Sequence, residues 1–421
     1  MLKRKRIVKP MAVAAVILMV ASVLFGFFST IANAAPPPLT LDADSYILID
    51  YATGKVLAEK NADAAISPAS LTKLMTLHIA WKKLAEGAIK PTDKVQIRTD
   101  AWSANMPGSS VMFLAPGQNV TVAEVMKGLA IPSGNDAAIA LADHISGSVD
   151  AFVALMNQEA QAMGYKTLHF VDPSGLSPGN KITAREFADF CRRYIQMHPQ
   201  ALTELHSVKT FSYPLWENLS PDEQRGKTKE TYQPITQNNR NGLLWSYEGV
   251  DGLKTGFIDE SGYNLAVTAQ RGDMRLVGVI LGVHGRDEAE GSRKREADGA
   301  AMLTWGFNNF VTVKPPVGDI APVKVYKGTA GQVTLEPAQP VALTVEKGLE
   351  NKITRTLHEE ATTIAPVKKG DKLGELIYAA DGKEIARVNL VAANDVPQGG
   401  FFKRLWDTII MKITSLLHRK K

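Results

Sequence analysis

Strand-like runs at both ends of the first 310 or so residues, with a long helical stretch inserted between them, restrict this chain more than any other feature. Ser45 to Asp50 and Lys55 to Glu59 have the β-rich composition of short strands and meet at Tyr51-Ala52-Thr53-Gly54, a hairpin signal. Strand patterns return only at Gly249 to Thr255, Asn264 to Arg271 and Arg275 to Val283. Between them Leu71, Leu74, Met75, His78 and Ile79 recur at three- and four-residue spacing, predicting a buried amphipathic helix from Ser70 to about Leu84. Further helices are expected over Val122 to Leu129, Asp136 to Ile145, Val149 to Met163 and Thr183 to Met197, with a last one over Glu296 to Phe307. Strands so far apart bury their faces by joining one sheet, so the expectation is one α/β domain whose sheet unites both chain ends.

From about Val311 to Ala393 the texture changes to short alternating apolar segments such as Val341-Ala342-Leu343-Thr344-Val345, broken by Lys369-Gly370-Asp371 and Asp381-Gly382. That pattern predicts a small all-β domain with no catalytic constellation of its own. The expected domain limits are 39–310, after a Pro36-Pro37-Pro38 linker, and 311–396.

The two termini carry most of the basic charge. Lys3, Arg4, Lys5, Arg6 and Lys9 precede an apolar run from Met11 to Phe28 and the small-x-small triplet Ala32-Asn33-Ala34, which reads as a signal peptide over 1–34 and an exported protein. The whole chain has 48 basic and 43 acidic residues; the first 34 hold five of the basic ones and no acidic one, which leaves 43 against 43. Phe401 to Lys421 then holds six basic residues against Asp407, so the body between is acidic, and a nucleic-acid partner is not expected. In that tail Phe402, Leu405, Trp406, Ile409, Ile413, Leu416 and Leu417 share one helical face, the pattern of a basic amphipathic helix lying in a membrane interface. The single cysteine, Cys191, cannot form an intramolecular disulfide and reads as a core residue of the 183–197 helix. The eight histidines contain no His-Glu-x-x-His, so neither a metal nor a cofactor is expected.

Three motifs carry chemistry. In Pro68-Ala69-Ser70-Leu71-Thr72-Lys73 a hydroxyl and an amine stand three residues apart at a helix start, on one face. A lysine can take the serine proton only if burial or a neighbouring cation lowers its pKa. Ser133-Gly134-Asn135 falls in a loop between two helices and offers a hydroxyl to relay a proton and an amide to hold a peptide. Ser103-Ala104-Asn105 matches the same pattern but lacks rigid helices on both sides, so Ser133 is preferred. Lys254-Thr255-Gly256 ends a strand-like run and supplies a cation, a hydroxyl for a substrate carboxylate and a glycine that permits close approach to the backbone.

Taken together and in this order, the motifs resemble the signature of penicillin-binding proteins and serine β-lactamases. The fuller wording, with Pro132-Ser133-Gly134-Asn135-Asp136 and Asp251-Gly252-Leu253-Lys254-Thr255-Gly256, is similar to the low-molecular-mass D-alanyl-D-alanine carboxypeptidases of the penicillin-binding protein 5/6 class. The resemblance implies a serine β-lactamase/transpeptidase-like α/β (α+β) catalytic domain followed by the all-β domain and tail helix. It also implies removal of the last D-alanine from peptidoglycan stem pentapeptides through an acyl-enzyme, and covalent inhibition by β-lactams.

By that resemblance Ser70 is the nucleophile and Lys73 its base, Ser133 passes the proton to the leaving amine, Asn135 orients the peptide, and Lys254 keeps Lys73 deprotonated. The N–H groups of Ser70 and Phe257 form the oxyanion hole. Thr255 and Gly256 line the substrate strand, and the terminal carboxylate meets Arg240 and a second arginine in the loop before the last helix, for which Arg293 fits better than Arg295. The location implied is the periplasmic face of the bacterial inner membrane, with the 401–421 helix as a peripheral anchor. Phe257 and Ile258 depart from the polar residues some members carry. A β-lactamase is disfavoured because Tyr165 to Gly179 contains Asp172 but no glutamate. A D,D-endopeptidase that cuts crosslinks, and a tethered scaffold that binds stem peptides with little turnover, stay open.

Overall fold

The structure, a computed structural model, describes residues 36–360 and 362–418. The expected signal segment, Ala361 and the last three residues lie outside the described residues. The chain divides into Met1–Pro38 and a compact unit, Leu39–Lys421, to which everything below belongs.

The sheet joins the two ends of the catalytic region as its sequence requires. Strand β1 (Ser45–Asp50) pairs with β2 (Val56–Lys60), and after a long helical excursion the chain returns in β3 (Val250–Ile258), β4 (Gly262–Arg271) and β5 (Met274–Val283). The strand order is β2-β1-β5-β4-β3, with β1 antiparallel to β5 through pairs such as Tyr46 with Ile280. All six residues of β1 are buried because both faces are covered. Ile47 and Ile49 face the helical layer with Val277 and Val279, whereas Tyr46 and Leu48 face a last helix with Leu276, Met302 and Leu303, as the two-residue period of a strand dictates.

Between β2 and β3 come α1 (Lys73–Ala85), α2 (Val122–Ala130), α3 (Asn135–Ser146), α4 (Val149–Ala162) and α5 (Ala184–Met197). Thr121 caps α2, exchanging hydrogen bonds with Glu124, and Thr183 caps α5 by accepting from the Glu186 N–H. Buried Leu74 and Leu77 anchor α1 in this layer, where truncation of one leucine to alanine costs about 2–5 kcal/mol. Cys191 is buried on α5, and burial pushes its thiol up, so it behaves as a small core residue.

Two expectations need correction. The first helix does not run unbroken from Ser70: a 3₁₀ turn, Ala69–Thr72, precedes α1, and Ala69 takes a left-handed φ of 51°. The last helix, α6 (Glu288–Asn309), begins eight residues before the expected start, because the Asp287 carboxylate caps it by accepting from the Glu290 N–H.

A second set of strands follows, with its own core of Val323, Leu343, Leu376, Tyr378 and Leu390. β6 (Phe310–Val313) pairs with β8 (Leu343–Glu346), and β7 (Val323–Tyr326) lies between them in sequence; β9 (Ile353–Glu359), β10 (Lys372–Ala380) and β11 (Lys383–Ala392) form an antiparallel sheet with the short strand Leu335–Pro337. Buried Asp50 ties these strands to the first sheet. It accepts from Thr53 Oγ1 at 2.7 Å and Thr312 Oγ1 at 2.6 Å, and Thr53 Oγ1 in turn lies 2.8 Å from Thr344 Oγ1.

The tail is helix α7 (Phe401–His418). Asp407, only 2% exposed, accepts from the Lys327 N–H at 2.5 Å and from Lys403 Nζ at 2.7 Å, so the first turns of α7 are fastened to the β domain. Phe401, Phe402, Leu405, Trp406, Ile409 and Ile413 are nevertheless exposed. Among the described residues no single helix is long and apolar enough to cross a membrane.

Candidate active site

The 3₁₀ turn at 69–72, the loop before α3 and strand β3 converge on one open cleft of about 1150 Å³. Ser70, Ser133, Asn135, Arg240, Thr255, Gly256 and Phe257 all line it. Lys73 and Lys254 lie just beneath, at 0% and 2% exposure.

Lys73 Nζ stands 2.9 Å from Ser70 Oγ, 2.6 Å from Asn135 Oδ1 and 2.7 Å from the Ser174 carbonyl oxygen. A neutral amine has two N–H donors and one lone pair. Asn135 and Ser174 present fixed acceptors for the two donors, which leaves the lone pair for the serine hydroxyl. Burial supplies the neutrality: it pulls the Lys73 amine down from its ordinary value to about 7, against Asp172 and Asp136, which both favour the cation. Burial thus comes ahead of the field of Lys254 that the sequence leads one to expect. Burial is the first cause, and repulsion between the amines is felt at Lys254, whose own pKa is driven well down by burial and then by Lys73, Arg240 and Arg295.

Strain collects beside Ser70. Ala69 and Ser133 are non-glycine residues with φ of 51° and 67°, a region costly for side chains with a Cβ and concentrated at functional sites. Beside Ala69 the packing is close: a Cβ on Gly256 would lie 2.7 Å from the Pro68 carbonyl oxygen and 3.0 Å from the Ser70 nitrogen, so β3 lies directly against the Ser70 turn. The glycine of Lys254-Thr255-Gly256 is needed for that contact within the protein. Gly175, φ 87°, presses from the other side, where a Cβ would fall 1.8 Å from the Ala69 carbonyl oxygen.

Several contributors left a weaker trace in the sequence. Asp172 builds the loop that carries Gly175: Oδ1 accepts from the Ser174 and Gly175 N–H groups at 2.7 and 2.6 Å, and Oδ2 from the Ser177 N–H at 2.9 Å. The Asp172-Pro173-Ser174-Gly175 turn signal is readable, but that it delivers a carbonyl to Lys73 is not. Asn135 Nδ2 donates to Ser109 Oγ at 2.5 Å, which fixes the amide so that Oδ1 faces Lys73. Ser103 does not line the cleft; its hydroxyl donates to the Leu114 carbonyl.

The two arginines of the α6 segment separate cleanly. Both lie on the helix rather than in a loop, and residues two apart on a helix face nearly opposite ways. Arg293 is exposed and does not line the cleft; Arg295, 6% exposed, does. The choice of Arg293 over Arg295 is thus corrected. Arg295 Nε is buried with no hydrogen-bond partner among the described residues, and its guanidinium lies 5.9 Å from the Tyr263 ring, which stacks on Phe257 at 4.3 Å. A buried guanidinium with an unused donor beside a cleft is prepared for an anion.

A half-buried serine on a buried lysine, with a second lysine and an arginine at the same open cleft, defines an acyl-transfer type of site. The family described as D-alanyl-D-alanine carboxypeptidase matches residues 30–285, and the penicillin-binding protein 5 C-terminal domain matches residues 316–398. The chain belongs to the D-alanyl-D-alanine carboxypeptidase family. It is 41% identical over 382 residues to D-alanyl-D-alanine carboxypeptidase DacC of Escherichia coli, covering 89% of each chain, and 37% identical over 387 residues to DacA of Haemophilus influenzae, covering 90% of this chain and 91% of the relative. Among solved structures, penicillin-binding protein 5 of Haemophilus influenzae superposes with a TM-score of 0.76 at 36% identity, covering 87% of this chain and all of that one. Penicillin-binding protein 6B of Escherichia coli gives 0.67 at 32% identity, covering 85% and 98%.

Proposed function

We propose that this cleft removes the terminal D-alanine from peptidoglycan stem pentapeptides through an acyl-enzyme on Ser70. The observation that carries the reading is the Lys73 amine, buried, lowered to about 7 and 2.9 Å from the Ser70 hydroxyl. Ser70 Oγ adds to the carbonyl between the last two D-alanines as Lys73 Nζ takes its proton. The tetrahedral oxyanion sits against the N–H groups of Ser70 and Phe257, each donor typically contributing about 2.7–4 kcal/mol. Ser133 conveys a proton to the departing amine, D-alanine leaves, and water hydrolyses the ester with Lys73 again as base. Asn135 aligns the peptide, and β3 from Lys254 to Phe257 offers its edge as a pairing strand.

Arg295 and Arg240, with Thr255, bind the terminal carboxylate. That anion also matters for the lysines. By settling on the Lys254 side it steadies positive charge there, and the repulsion between the amines then favours neutral Lys73. A β-lactam acylates Ser70 by the same route.

The remaining organisation follows. The segment 1–34 directs export, 39–310 is the catalytic domain and 311–396 a spacer. The exposed rings of the tail helix, 401–421, lie in the outer surface of the inner membrane. Incubating purified protein with a stem pentapeptide tests the reading: D-alanine release over many turnovers, lost in Ser70→Ala and Lys73→Ala, supports it. Penicillin labelling of Ser70 without any D-alanine release replaces it with crosslink cleavage or binding without turnover.

A further inference from the structure

We propose that His206 is a positioning residue for the Lys254 side of the cleft: held by Tyr194, its imidazole grips the main chain of β3 one residue before Lys254. The inference rests on the reading of Ser70, Lys73 and Lys254 given above.

His206 ends a turn of π-helix, Leu202–His206, and is wholly buried. Its Nδ1 lies 3.0 Å from the Leu253 carbonyl oxygen and its Nε2 2.9 Å from the Tyr194 hydroxyl. A carbonyl only accepts, so Nδ1 carries the proton; Nε2 then keeps a lone pair, and the Tyr194 O–H donates to it. One neutral tautomer satisfies both contacts.

Side chains reinforce the strand at this place. The pairing of β3 with β4 slips between Val250 and Gly252, so the side-chain grips fall where the ladder resumes and leads on to Lys254. Asn241 Nδ2 donates to the Gly252 carbonyl at 3.2 Å, and His206 donates to the next carbonyl along. Asn239 links the two grips, donating from Nδ2 to the His206 carbonyl at 3.2 Å and accepting at Oδ1 from the Asn241 N–H at 3.0 Å. Arg240 lies between these asparagines, so the same brace holds both Lys254 and Arg240. Lys254 Nζ donates to its neighbour's carbonyl, Thr255 O, at 3.0 Å, and its place depends on where the main chain puts it.

A neutral ring also suits the charges that face it. Lys254 feels Lys73, Arg240 and Arg295, and Lys73 feels Asp172 and Asp136. Burial pushes the His206 imidazole down to about 4, Lys254 pushes the same way and the Leu253 carbonyl opposes them, so no fourth cation joins the wall near neutral pH.

The test compares wild type, His206→Leu, His206→Asn and Tyr194→Phe by the rate of Ser70 acylation with a fluorescent penicillin across pH, and by kcat and KM for D-alanine release. His206→Leu frees the Leu253 carbonyl, and acylation falls about tenfold or more. Lys254 gains room to move away from Lys73, so the amines repel less and the acid limb of the acylation profile moves to higher pH. The Asn side-chain nitrogen overlays His Nδ1, so His206→Asn restores the wild-type limb and a rate within about threefold of it. Tyr194→Phe loses one oxygen and gives a smaller shift in the same direction, which keeps the test decisive if the leucine variant does not fold. An unmoved limb in His206→Leu or Tyr194→Phe, or an asparagine variant as impaired as the leucine variant, overturns the role of His206. Wild-type protein that is not acylated at Ser70 overturns the reading of the cleft instead.

Discussion

The cleft and the tail helix break the usual rule of placement in opposite directions. The cleft buries basic side chains: Lys73, Lys254 and Arg295 are 0%, 2% and 6% exposed. The tail exposes rings: Phe402 and Trp406 are 83% and 63% exposed. Each arrangement costs free energy in an isolated folded chain, because buried charge loses hydration and exposed apolar surface orders water. Neither is explained by the fold alone. On the proposed function, the partner in the cleft is a substrate that brings negative charge, and the partner at the tail is a surface that takes up apolar side chains. Departures from ordinary burial thus coincide with the two places where the proposed function puts a partner.

Substitutions can break that contrast. The largest effect is expected at the serine–lysine pair, where Ser70→Ala or Lys73→Met lowers acylation by about 10³-fold or more in a fluorescent penicillin assay. Lys73→Met should also raise stability. The folded pKa of about 7 lies below the unfolded value, so the unfolded chain binds more protons between those two values and stability is lost as pH falls through that window. At pH 7 the methionine variant removes this burden, and urea unfolding should show it about 2–4 kcal/mol more stable. A variant no more stable than wild type would mean that Lys73 is better solvated than its burial indicates.

Arg295→Ala should raise KM for D-alanine release and lower kcat/KM about 10²-fold, whereas Arg293→Ala should stay within about twofold. Equal losses at both positions would contradict the division between cleft and solvent faces of α6. At the tail, Phe402→Ser with Trp406→Ser should weaken sedimentation with anionic lipid vesicles about tenfold and leave the rate on a soluble peptide unchanged. The smallest shift is one of pH. Acylation should rise with pH through about 7 as Lys73 becomes neutral, and a flat profile from pH 5 to 9 would remove lysine as the base.

What the sequence discloses depends on how local the cause is. The strand Ser45–Asp50 and the helix Val149–Ala162 are legible because the cause is local: a run of β-favouring residues in one, and in the other apolar spacing behind the Ser148 cap. The three motifs reveal which residues come together, as their shared lining of the cleft shows. The 3₁₀ turn at Ala69–Thr72 is hidden, because it goes with pressure from Gly256 and Gly175, residues more than 100 positions downstream. The start of α6 is hidden for a subtler reason. The charges from Arg286 to Arg295 look like a solvated loop until Asp287 is recognised as a cap, and only then does the helix separate Arg293 from Arg295. The Ser174 carbonyl on Lys73 and the His206 grip on Leu253 involve the main chain, which every residue possesses and no motif marks.

The Gly175 contact also bears on how such a protein can evolve under antibiotics. An acylated enzyme escapes a β-lactam by admitting water to the ester, and the loop from Asp172 to Asn180 is a natural place to install a residue that guides it. With the Gly175 position flush against the Ala69 carbonyl, any side chain there must displace the nucleophile's own turn before it can help. Adaptive variants of this loop should therefore arise beside the glycine, at Leu176 on the cleft wall, while position 175 stays fixed through selection.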